Sequence, residues 1–89
     1  MTAADLKARD SRMTEHLLIA FHSTTDALRS EALLQEAQLP GRLIPLPARI
    51  RADCGVGWLT APACRARTEA LLLSAGISPS GFYPYQTRS

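Results

Sequence analysis

Cys54 is the residue in this chain best placed by its neighbours to do covalent chemistry. It stands in Arg49-Ile50-Arg51-Ala52-Asp53-Cys54-Gly55, a polar and cationic stretch. A thiol acts as a nucleophile or carrier through its thiolate, which nearby cations and backbone N–H groups favour. Arg49 and Arg51 supply the cations and Gly55 keeps the following backbone open. Asp53 opposes them, since an adjacent carboxylate favours the protonated thiol. The plain alternative is a small, half-buried apolar side chain in a turn, because free cysteine usually packs as a small hydrophobe. A second group gathers at His22-Ser23-Thr24-Thr25. The hydroxyls there can cap a helix N-terminus, and the histidine can accept a proton or orient a neighbour. Each also has a purely structural use, so only their meeting with Cys54 makes a site.

Composition narrows the function classes. The chain has 89 residues, 46% of them hydrophobic, which suits one domain with a modest core. Two cysteines, Cys54 and Cys64, cannot form a disulfide framework. Two cysteines and two histidines without CxxC or HxxxH spacing do not form a zinc-ligand pattern, so no metal and no cofactor is expected. The first twelve residues lack an apolar signal segment, and the longest apolar runs are far too short to span a bilayer. A cytoplasmic protein without a membrane partner is expected. Net charge is +2, with nine arginines against one lysine, too small an excess to argue for nucleic acid.

Six elements must position these residues. His16–Phe21 is an unbroken apolar run that reads as a buried central strand. His22–Asp26 starts a helix whose apolar positions are Ala27, Leu33, Leu34 and Ala37, interrupted by Ser30, and which stops at Leu39-Pro40-Gly41. Residues 42–46 form a short strand closed by Pro45 and Pro47, suited to a sheet edge. Gly55–Thr60 alternates Val56 and Trp58 on one face with Gly57 and Leu59 on the other. Pro62 opens a second helix, with Ala66, Ala70 and Leu73 as its expected apolar stripe and Gly76 as its cap. Residues 82–86 make the last strand, with Pro84 marking another edge.

Strand, helix, strand, strand, helix, strand predicts an α+β fold: a ferredoxin-like βαββαβ two-layer sandwich with antiparallel sheet order 4-1-3-2. Residues 1–14 are expected as a flexible tail, 15–86 as one domain, and 87–89 as a second tail. In this topology the His22–Asp26 turn, the loop carrying Cys54 and the 77–81 turn meet at one end of the sheet. Helix 1 would then aim its free N–H groups toward Cys54. Cys64 falls at the opposite end of strand 3, beyond disulfide reach.

The runs Phe21-His22-Ser23-Thr24-Thr25, Ile44-Pro45-Leu46-Pro47 and Asp53-Cys54-Gly55 resemble the selenium/sulfur carrier-like family of small bacterial domains. The resemblance covers about residues 16–85. It implies that Cys54 holds sulfur or selenium as a persulfide or selenopersulfide, with donor and acceptor proteins as partners and no catalytic turnover of its own. The chain departs from the family pattern at Arg49, Ala52 and Asp53, where more serine-like residues are expected. A non-catalytic module that binds a small ligand or a protein is the alternative, using a helix-free sheet face carrying Trp58 or Phe82, which also leaves a homodimer open. RNA recognition needs more exposed aromatics on the central strands than this chain offers.

Overall fold

The computed structural model describes residues 13–51 and 54–88. Of the tails expected at 1–14 and 87–89, residues 1–12 and Ser89 lie outside the described residues, as do the departures at Ala52 and Asp53, while 13, 14, 87 and 88 are strand. The chain is α+β, with strand β1 at Met13–Ala20, helix α1 at Thr24–Glu36, β2 at Arg42–Pro45 and β3 at Val56–Thr60. A 3-10 turn at Pro62–Cys64 then leads into helix α2 at Arg65–Ser74, and β4 is Gly81–Arg88. All neighbouring strands are antiparallel in the order β2-β3-β1-β4, which is the expected order read from the other edge. β1 and β4 run longer than expected, because Met13 and Thr14 pair with Arg88 and Thr87.

β1 forms the centre of the sheet because its apolar run can be buried on both faces. Leu17 and Ile19 join the helix residues Ala27, Leu34 and Leu72 in one buried cluster. Leu18 and Ala20 join Leu59 and Ile50 in another, with Tyr83 and Tyr85 packed against it. The two faces of one strand thus seed two cores. The second is roofed by the loop after β2, through Ile50, rather than by a helix.

Both helices end by the same device. α1 closes where Gln38 adopts φ 62° and the Leu39 amide donates to the Leu34 carbonyl. α2 closes at Gly76, φ 73°, with the Ile77 amide donating to the Leu72 carbonyl. α1 buries Ala27, Ser30 and Leu34, so the serine expected to interrupt the stripe is part of it. Its hydroxyl donates to the Asp26 carbonyl at 2.7 Å, which satisfies it without a partner on another element.

Two expectations are corrected. The buried face of α2 is Thr68 and Leu72, while Ala66, Ala70 and Leu73 are exposed, Leu73 to 79%. The reason is that Leu71, Leu72 and Leu73 are all leucines, so more than one stripe satisfies helical spacing and packing chooses between them. Trp58 and Phe82 are not on the helix-free face. Both align with Ile19 and belong to the helix-side cluster, Trp58 wholly buried and Phe82 beneath the Arg65 guanidinium at 4.5 Å.

Thr68 faces the core with a buried hydroxyl that has no partner among the described residues. An unmet buried hydroxyl costs stability, and valine has the same shape without it. Thr68→Val is expected to raise stability by about 1 kcal/mol, read as a higher urea midpoint at an unchanged m-value.

Candidate functional site

Three segments converge at the upper end of the sheet. The Ser80 amide donates to the Ala20 carbonyl at 2.8 Å, drawing the turn before β4 against the end of β1. The Leu46 amide donates to the Gly55 carbonyl at 3.0 Å, closing the long β2–β3 connection beside Cys54. Cys54 itself is 2% exposed and lies in the helix-side cluster with Phe21 and Ile77. Its thiol meets the Thr24 hydroxyl at Sγ···Oγ1 3.9 Å.

That contact sets the sulfur beside the first residue of α1. Ser23 is the N-cap, extended at φ −148°, ψ 157°, and its hydroxyl accepts from the Asp26 amide at 3.1 Å. The Thr24 and Thr25 amides belong to the first turn, where the helix itself offers no acceptor. They carry the partial positive charge of the helix end. The Thr24 hydroxyl is the polar group that meets the sulfur at this helix end.

The expected binding residues do not all gather here. Thr24 touches the thiol, and Ser23 acts through the cap. His22 and Thr25 are exposed and make no side-chain hydrogen bond among the described residues. Gly55 is exposed, and a side chain there would meet nothing within 4 Å, so packing does not demand the glycine. Arg51 is exposed. Arg49 goes elsewhere: its guanidinium lies 6.0 Å over the ring of Tyr85, a residue packed against the helix-free cluster. Two features went unread in the sequence. Tyr85 captures Arg49, for which the alternation of Tyr83 and Tyr85 is the only signal. Ser80 holds a buried Oγ without a partner among the described residues, for which the sequence gives no signal.

Both cysteines are free thiols, Cys64 half-buried at the start of α2. Among the described residues no group of His, Cys, Asp and Glu is arranged to hold a metal ion. No helix among them is long and apolar enough to cross a membrane.

Fold and site together define a small α+β domain with one buried thiol at a helix N-terminus. The chain belongs to the family described as "Putative Se/S carrier protein-like", whose profile matches residues 16–84. No curated protein and no solved structure gives a significant match.

Proposed function

We propose that this chain is a ferredoxin-like sulfur or selenium carrier that holds its cargo on Cys54 as a persulfide or selenopersulfide. The reading is supported most by the placement of the Cys54 sulfur 3.9 Å from the Thr24 hydroxyl, beside the opening turn of α1. Family membership agrees with it. In loading, the Cys54 thiolate attacks the outer sulfur of a donor persulfide. A new S–S bond forms as the donor's S–S bond breaks, and the donor thiolate leaves with the electron pair. The thiol proton passes to solvent, and no net oxidation occurs. The Thr24 hydroxyl and the Thr24 and Thr25 amides stabilise the terminal anion. Arg51 stands on the same loop as a further cation, while Ser23 fixes the helix end. Donor and acceptor proteins are the implied partners, and a reducing cytoplasm keeps both thiols free between loadings.

Intact-protein mass spectrometry after treatment with glutathione persulfide tests this. Cys64→Ser, which keeps Cys54 as its one thiol, is expected to gain one sulfur atom, and Cys54→Ser/Cys64→Ser none. A folded Cys64→Ser that gains no sulfur atom would sink the proposal. Far-UV circular dichroism on the same samples separates lost chemistry from lost fold.

A further inference from the structure

The helix-free face of the sheet differs chemically from the helix layer. Register puts His16 and Tyr85 opposite each other on it, and Arg42 opposite Leu59. His16, Arg42 and Leu59 line a shallow hollow of about 190 Å³ at its lower end. Arg49 lies over Tyr85, the residue opposite His16. No described carboxylate shares this face. Asp26, Glu31, Glu36 and Glu69 are on the helices, and Glu15 alternates with His16 to the opposite side. Arg42 and Arg49 form no ion pair among the described residues, whereas Arg29 and Arg65 of the helix layer pair with Asp26 and Glu69.

We propose that this face docks an acidic segment of a partner protein. The inference goes beyond the carrier reading and does not involve the Cys54 sulfur. Charge complementarity carries it: the Arg42 and Arg49 guanidiniums, without an ion pair among the described residues, stand on an otherwise apolar face that no described acid shares. Guanidiniums recognise carboxylates through paired hydrogen bonds, and arginine is enriched among the residues that anchor protein interfaces. Single-stranded nucleic acid fits less well because it needs open aromatic faces to stack on. Here Tyr85 is covered by Arg49, and the Tyr83 ring is folded back over Gly81, where an added Cβ would sit 2.7 Å from its hydroxyl.

The test is fluorescence anisotropy of a labelled oligoglutamate peptide at low ionic strength, with labelled oligouridylate as the competitor class. Arg42→Glu/Arg49→Glu is expected to weaken peptide binding about tenfold or more. Arg29→Glu/Arg67→Glu changes net charge equally on the helix layer and is expected to leave binding nearly unchanged. Should the charge reversals on the sheet face disturb folding, Arg42→Gln/Arg49→Gln is expected to show the same direction of loss. Equal weakening by both pairs would reduce the effect to net charge and overturn the proposal. Tighter binding of oligouridylate than of the peptide, lost in the same sheet-face variant, would overturn it in favour of nucleic acid.

Discussion

Trp58→Ala is expected to destabilise the fold by about 3–5 kcal/mol. An 89-residue domain at typical specific stability has only about 5–13 kcal/mol in total, so the variant stands near the edge of unfolding at room temperature. Trp58 is wholly buried on the central strand β3, packed in the cluster that joins the sheet to both helices. Removing its ring leaves a void that close-packed neighbours cannot fill. Trp58→Phe separates volume from polarity. The indole N–H is buried without an acceptor among the described residues, and an unmet donor of this kind costs about 1–3 kcal/mol. Phenylalanine removes that penalty while keeping a ring, so its net cost is expected to be within about 1 kcal/mol of wild type. Because Trp58 is the only tryptophan, urea titrations must be followed by far-UV circular dichroism. A loss for Trp58→Phe well above about 1 kcal/mol would show that the N–H is satisfied in solution.

Gly41→Ala is expected to cost about 3 kcal/mol although the residue is exposed. Gly41 has φ 151°, in the region that side chains rarely adopt. A Cβ built there would lie 2.6 Å from the Leu59 carbonyl oxygen and 2.6 Å from the Trp58 ring. The backbone oxygen cannot move without breaking the β2–β3 pairing, and the ring cannot move without disturbing the core. Combining Gly41→Ala with Trp58→Phe is expected to cost less than the sum, since the smaller ring removes one of the two clashes. Thermal unfolding of the four proteins in the cycle checks this, and strict additivity would show that the carbonyl alone sets the cost.

The topology was legible in the sequence because each signal had one reading. The His16–Phe21 run read by its length as a strand buried on both faces, Ser23 and Thr24 read as a helix start, and Gly76 closed the second helix. The face of α2 was not legible, since three consecutive leucines leave its register to tertiary packing. Alternation along β3 separated Val56 and Trp58 from Gly57 and Leu59, as observed. It did not say which pair the helices cover, because that depends on how the crossovers pack. The neighbourhood of Cys54 followed from chain direction alone, and Thr24 is where direction put it. Arg49 was misplaced because its position depends on how the loop folds back through Ile50, which no spacing rule encodes.

The contrast between Cys54, 2% exposed, and the half-buried Cys64 gives the chain an internal stopwatch. A reagent can reach the half-buried Cys64 in the folded chain, but it meets Cys54 only in those moments when the surrounding turns come apart. With fast reclosing, the ratio of the two labelling rates, corrected for intrinsic thiol reactivity, gives the free energy of that local opening. A sulfur atom parked on Cys54 would be sheltered from free thiols by the same factor. Its release would then be timed by breathing of the fold rather than by the strength of the S–S bond.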